Sequence, residues 1–478
     1  MRPFVLGEAR IRTVVNRVRP MAEEQVAELL QGVIGDYSGR HRNIERTLWN
    51  NFEEVRPYIE GVEAFSDQRK LLVATFFTME YAIESAALFN PSMVPGPDQA
   101  NLQPDEVRVV MSLRATGEGH VSSIEFREAI IAGDGHLAME PTSRFVAAPA
   151  LRKDTVYDRH LFRLRVLAMG APGPPESSEI HGTAFGEQIV DQVLAPLGDR
   201  FTFDALAQAI HDYRQQDHSY PAFAEMQLDR MMLLARANYE LTFSKDSEIS
   251  ERVVFPVTMH ESRGIEDARF VRFVEDDGQI RYLATYTAFD GFNIMSQLLE
   301  TDDFLQFKVH TLNGRYVNSK GMAFFPRRLH GRYAMISRVD GENLFVMYSD
   351  NIHFWDEAEF LRAPEQPWEF MQIGNCGSPL ETEAGWLLLT HGVGPMRRYC
   401  IGALLLERDN PAHVIGALPW PLLAPDEEER EGYVPNVVYS CGALIHNGWL
   451  IIPYAVSDFQ TRVASVWLAD LLAALTPV

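Results

Sequence analysis

The chain has 478 residues, 46% of them hydrophobic and 11% aromatic, which supplies a sizeable core and excludes wholesale disorder. Its formal net charge of -23 argues against nucleic acid or an anionic membrane surface as a partner, because neither is attracted to the molecule as a whole. That charge suits an enzyme acting on neutral molecules, and any phosphate site needs its own local cluster of positive charge.

Residues 1–19 carry Arg2, Arg10, Arg12, Arg17 and Arg19 without an apolar segment, so no secretory signal is expected. No run approaches the ~20 apolar residues of a membrane span. A cytoplasmic protein is expected. The cysteines Cys376, Cys400 and Cys441 are odd in number and widely spaced, which suggests buried core residues rather than a disulfide framework or a zinc site. The histidines are scattered without paired ligand spacing, so no metal is expected.

Residues 21–90 read as helical, with Ile44, Leu48, Phe52, Val55 and Ile59 at helical spacing and Ser66 or Asp67 capping a further helix. They form the expected helical extension, residues 1–85. The texture changes at Asn90-Pro91-Ser92, and residues 95–98 make a loop. Val107–Leu113 and Val121–Ile131 are strands joined by the turn Thr116–Gly119. Strands are sparse over 132–180, where Gly170–Pro175 marks a loop. Three helices are expected over Phe185–Leu197, from a Thr202 cap to Tyr213, and over Pro221–Tyr239. Together they make a helical insertion at about residues 185–240 of a β domain spanning 86–478.

From Tyr239 onward, short apolar strands follow turn residues: Arg281–Tyr286, Leu344–Ser349, Gly385–Thr390 and Gly448–Tyr454. They recur at intervals of roughly 40 to 65 residues, as in a β-propeller. A pair of sandwiches is the other all-β solution. Polar residues at the strand ends favour the propeller, whose central channel they would line. Trp355 and Trp368 are either blade core or rings that stack on a ligand.

The stretch Arg263-Gly264-Ile265-Glu266-Asp267-Ala268-Arg269 sets two carboxylates and two guanidinium groups beside an apolar strand. Charges there are costly unless they pair or perform chemistry. A structural Asp–Arg pair closing a turn is the plain alternative.

Several segments, taken in order, resemble glycoside hydrolase family 130, the β-mannoside phosphorylases and β-1,2-mannosidases. Gly264–Arg269 is similar to the family's Glu-Asp-Pro-Arg motif, with Ala268 in place of Pro. Tyr286–Gly291, Lys320–Pro326, Gly385–Val393, Gly432–Tyr439 and Ala455–Asp458 resemble later motifs. The resemblance is weak over residues 86–130 and good over 245–470. It implies a mainly β, five-bladed β-propeller, and an inverting enzyme on which Asp267 is the general acid, its proton passing through a sugar hydroxyl. A leaving oxygen needs that proton as the glycosidic bond stretches.

By the same resemblance Lys320 and His391 match phosphate-binding positions. The family's further Arg has no match in Phe292–Ser296, where Arg269, Arg338, Arg397 or Arg398 are the available substitutes, and Arg269 is assigned to phosphate here. Asn90, Arg114, Glu266, Asp290, Arg338, Asn436 and Asp458 are the expected sugar-binding residues. The implied partner is a small oligosaccharide, with inorganic phosphate as co-substrate and no cofactor. Three functions stay open: phosphorolysis to mannose 1-phosphate, hydrolysis with Glu266, Asp290 or Asp350 activating water, and a non-catalytic carbohydrate-binding propeller. A hydrolase of another glycoside, using Asp267, Asp350 and Asp458, is a variant of the second. The apolar stripes of the helical regions suggest self-association.

Overall fold

The computed structural model describes residues 1–478 except 5–6, 153–155, 169–179, 217–220 and 318. The Gly170–Pro175 loop expected from the sequence lies outside the described residues. The chain is mainly β, with helices gathered into two groups.

The first group comprises helices Glu8–Val18, Glu23–Tyr37, Ile44–Val55 and Asp67–Thr75. Each contributes an apolar stripe, among them Ile11 and Val15, Val26 and Leu30, Leu48 and Phe52, Leu72 and Val73, to one shared core. Ser66 is the N-cap of the last of them, its Oγ accepting from Arg69 N at 3.1 Å. The opening helix sits in the Arg-rich stretch, whose charges mask the buried Ile11, Val15 and Val18. Helix does not continue to residue 90. A strand, Ala87–Pro95, runs through Asn90-Pro91, and a register shift between Phe89 and Ser92 accommodates a proline that cannot donate to a ladder. The group is tied to the β region by Arg42, which bonds the buried Glu251 carboxylate at 2.5 Å.

The second group begins earlier than the sequence suggests, at Arg159–Ala168. Helices Ile180–Leu194, Phe203–Arg214 and Pro221–Arg236 follow. Tyr157, Phe162, Val190, Leu206 and Leu228 give these helices their own core. Thr202 caps Phe203–Arg214, accepting from Ala205 N at 3.3 Å.

The β region is a succession of antiparallel sheets. Ala87–Pro95, Val107–Thr116 and Ser122–Ile131 pair in order. Gly264–Val274, Ile280–Phe289, Ile294–Thr301 and Gln306–Thr311 form the next group, joined to the first by one parallel contact, Gly264 to Ser122. Sheets over Ala323–Arg362, Gln372–Ala417 and Val438–Trp467 follow. The apolar segment Leu344–Ser349 is a strand with the bounds read from the sequence. Trp355 is fully buried in the core between sheets.

The first and last sheets meet. Met93, Val109 and Met111 pack with Ile451, Cys441 N donates to Pro91 O at 2.8 Å, and Thr461 Oγ1 donates to Leu88 O at 3.0 Å. Cys376, Cys400 and Cys441 are free and buried.

Candidate active site

Two strands break register to aim polar side chains at one another. In Gly264–Val274 the pairing shifts between Glu266 and Arg269, and Asp267 takes a left-handed φ of 57°. In Ala87–Pro95 the shift leaves Asn90 at φ 50°. Asp and Asn tolerate this region better than most residues, and bulges commonly re-aim side chains beside active sites. Here they bring Asn90 Nδ2 to Asp267 Oδ1 at 2.6 Å. Ser92 Oγ stitches the strands by accepting from Phe270 N at 3.1 Å.

The turn ahead of Gly264 is held by the fully buried Glu261 carboxylate. Its Oε1 accepts from the Tyr239 and Tyr286 hydroxyls at 2.9 and 2.7 Å. Its Oε2 accepts from the Val257 and Thr258 amides, both at 2.9 Å. A buried carboxylate with every lone pair engaged is a rigid anchor.

Asp267 opens into a cavity of about 160 Å³. At one end the acids are paired. Arg114 donates to Glu266 Oε1 at 2.8 Å and lies 3.8 Å from Asp267 Oδ1, while Lys320 Nζ lies 3.7 Å from Glu266 Oε2. Asp458, at φ 52°, enters from the last sheet. Burial, then the Asp267 charge, pushes its carboxyl up to about 6 against the opposing pull of Arg114 and Arg397.

The other end is cationic and unsatisfied. Arg269 is 2% exposed. It donates from Nη2 to the Tyr439 hydroxyl, yet its Nε and Nη1 have no hydrogen-bond partner among the described residues. Burial works against its charge, but Tyr439, Cys441 and Asp267 outweigh burial and keep the guanidinium protonated. Gly321 is what admits it: a Cβ there would sit 2.5 Å from Arg269 Nη1, at a φ of +93°. Arg338, just past strand Tyr333–Ser337, has an unpartnered Nε. Its Nη1 lies 3.5 Å from His391 Nε2.

His391 is buried on strand Gly385–Val393, directly across from Gly374. A Cβ at 374 would meet the imidazole at 2.4 Å. The Asn375 carbonyl, 3.3 Å from Nδ1, can only accept, so Nδ1 carries the proton and Nε2 accepts from Arg338. Burial first, then Arg338 and Arg269, holds the imidazole well below its usual range. His391, matched by the resemblance to a phosphate-binding position, is set to accept from Arg338 and so to orient it.

Of the residues expected at the site, Asn90, Arg114, Glu266, Asp267, Arg269, Lys320, Arg338, His391 and Asp458 line this cavity. Asp290 and Asn436 do not. The Asp290 carboxylate caps its own turn, accepting from the Phe292 and Asn293 amides at 2.8 and 2.6 Å. Asn436 uses its carbonyl to receive Tyr399 N at 3.0 Å. Asp350 is exposed beside Arg332, and Arg398 bonds the Pro425 carbonyl at 2.8 Å; neither lines the cavity. Arg397 does, from an exposed turn. Tyr439, Tyr399, Gly374 and Asn375 complete the cationic end and were not singled out by sequence.

A mainly β protein whose cavity joins an acid pair to a cationic cradle has the parts for polar, phosphate- or sugar-directed chemistry. The family described as beta-1,4-mannooligosaccharide phosphorylase matches residues 218–476. A 1,2-beta-oligomannan phosphorylase of Thermoanaerobacter sp. is 30% identical over 249 residues, covering 50% of this chain and 80% of that protein. A beta-1,2-mannobiose phosphorylase of the same organism is 28% identical over 262 residues, covering 53% and 84%. The beta-1,2-mannobiose phosphorylase of Listeria innocua, solved with beta-1,2-mannobiose, superposes with a TM-score of 0.47 at 19% identity, covering 81% of this chain and 92% of that one. The chain belongs to glycoside hydrolase family 130. Among the described residues no helix is long and apolar enough to cross a membrane.

Proposed function

We propose that the chain is an inverting β-mannoside phosphorylase, acting on β-1,2- or β-1,4-linked mannosides in the cytoplasm. The observation that carries this is the set of buried guanidinium donors without acceptors, Arg269 Nε and Nη1 and Arg338 Nε. Unpaired buried donors are expensive, and a phosphate brings oxygens of matching charge and geometry. Lys320, 48% exposed in its side chain, and Arg397 add charge at the mouth, and His391 holds Arg338 in place. Arg338 and Arg397 take the part of the Arg absent from Phe292–Ser296.

In this reading phosphate oxygen attacks the anomeric carbon from the face opposite the leaving group. The glycosidic C–O bond breaks, the C–O–P bond forms, and configuration inverts. Asp267 gives its proton, through a sugar hydroxyl, to the departing oxygen, and Asn90 fixes that carboxyl group. Arg114, Glu266 and Asp458 bind sugar hydroxyls. The successive sheets are read as five propeller blades around the cavity, closed where the first sheet meets the last. Residues 1–85 form a helical extension on this domain of residues 86–478.

The second reading, hydrolysis, has one carboxylate in its favour. Asp458 lines the cavity with Asp267 and could activate water. Incubation with β-1,2- and β-1,4-mannobiose, with and without inorganic phosphate, separates the two. Phosphate-dependent mannose 1-phosphate supports phosphorolysis; free mannose at equal rates without phosphate overturns it.

A further inference from the structure

Away from the cavity, Glu300, His310 and His353 converge. Glu300 and His310 lie on neighbouring strands, Ile294–Thr301 and Gln306–Thr311, where Leu298 faces His310 and Glu300 faces Lys308. The two are therefore diagonal neighbours on one face of the sheet. His353 comes from the next sheet, on the turn after Leu344–Ser349, with its carbonyl accepting from Asn313 N at 3.0 Å. One ligand atom from each of the three lies within 4.8 Å of the others.

The hydrogen bonds around them fix what those atoms offer. Asn238 Nδ2 donates to Leu234 O at 2.6 Å, so its Oδ1 is the atom facing the Thr311 amide and His310 Nδ1, both at 3.3 Å. An amide oxygen only accepts, so His310 Nδ1 carries the proton. His310 Nε2 then presents a lone pair to Glu300 Oε1, 3.8 Å away. The His353 ring lies 4.7 Å from the His310 ring between centroids, and its Nδ1 is buried without a partner. The His310 Nε2 lone pair and a Glu300 carboxylate oxygen thus face one another, with the His353 ring beside them. A carbonyl fixing the far nitrogen of an imidazole is also the usual support of a metal-bound histidine.

We propose that Glu300 Oε1, His310 and His353 hold one late first-row divalent cation of the zinc class, with water completing its shell. Two imidazoles and one carboxylate suit zinc. The charges around the cluster, mostly positive, disfavour an ion held by charge alone. Arg281 occupies the other Glu300 oxygen and is shared with Glu275 at 2.8 Å, and Lys308 is exposed. Arg165 is also in electrostatic range of Glu300. An ion held by charge alone, such as calcium or magnesium, finds too little negative charge here; one that bonds neutral nitrogen does not depend on it. The site links two sheets and, through Asn238, the end of the helical insertion, so its role is structural. No motif announces it, because the ligands come from three separate segments.

The test uses the full chain, stripped with chelator and titrated with CoCl2 and then ZnCl2. One equivalent of cobalt should bind with a visible ligand-field spectrum, zinc should displace it, and Tm should rise by a few degrees, while MgCl2 leaves Tm unchanged. The His310→Ala/His353→Ala double variant should lose both responses, and His413→Ala, an exposed histidine, should keep them. Absence of saturable binding, or equal binding by the double variant, overturns the proposal. Should that variant fail to fold, X-ray absorption of the zinc-loaded native chain decides. Two nitrogen ligands at about 2.0–2.1 Å support the site, and an all-oxygen shell refutes it.

Discussion

The two ends of the cavity are built from the same kinds of charged residue and treat them in opposite ways. At the acidic end Glu266 and Asp267 have Arg114, Lys320 and Asn90 as partners. At the cationic end Arg269 and Arg338 keep donors that no described residue accepts from. A satisfied group is placed for what it will do to a neighbour; an unsatisfied one is placed for what it will receive. On the proposed function, the acidic end is arranged before substrate arrives and the cationic end is completed by its ligand.

The comparison can be broken most sharply at Asp267. Asp267→Asn keeps a side chain suited to the left-handed φ and removes the transferable proton, so turnover of mannobiose should fall ~10³-fold while Tm stays within a degree or two. Product release measured by chromatography checks it. Arg269→Lys replaces a fork with a point charge. It should cost ~10²-fold in kcat/KM for phosphate, with a much smaller change in KM for the mannoside. An equal loss for both substrates would show that the two ends are not separate. Gly321→Ala tests the same guanidinium from behind. Its Cβ must push Arg269 away at a strained φ, and a roughly tenfold loss in phosphate affinity is expected, on the scale of ~1–2 kcal/mol for displacing a charged hydrogen bond.

The smallest effect is at Asp458. Its carboxyl sits at about 6 in the folded chain, above the ~3.9 of a free aspartate. The folded state therefore holds more protons between those values, and stability falls as pH rises through that window. Asp458→Asn removes this slope. Its Tm should match the parent at pH 4 and exceed it by a few degrees at pH 7, as read by a thermal melt in each buffer.

Local pattern made part of this visible in the sequence. Leu344–Ser349 and Gly385–Thr390 are apolar runs after turn residues, and both are strands. The Glu266-Asp267 pair beside an apolar strand marks the acidic end because charge in that setting is anomalous. The cationic end was only half legible. His391 and Gly374 are paired by strand register, which a single sequence does not display, and Asn90 meets Asp267 across 177 positions. Asp290 falls outside the cavity lining, because a carboxylate at a strand end reads alike in sequence whether it faces a cavity or caps its turn. Helix Glu8–Val18 was hidden by arginines on its exposed face, and Arg159–Ala168 by half-buried arginines set among its apolar residues.

The seam between Ala87–Pro95 and the sheet ending at Trp467 bears on biosynthesis. Contacts of such sequence separation form late, because a long loop must close before they are rewarded. Synthesis runs from the N-terminus, so a nascent chain stalled before Asp458 already carries Asn90, Asp267, Arg269 and His391, yet lacks the wall that encloses them. The cavity is enclosed only once Asp458 is in place, and a chain truncated before it would expose the unpaired arginines to water.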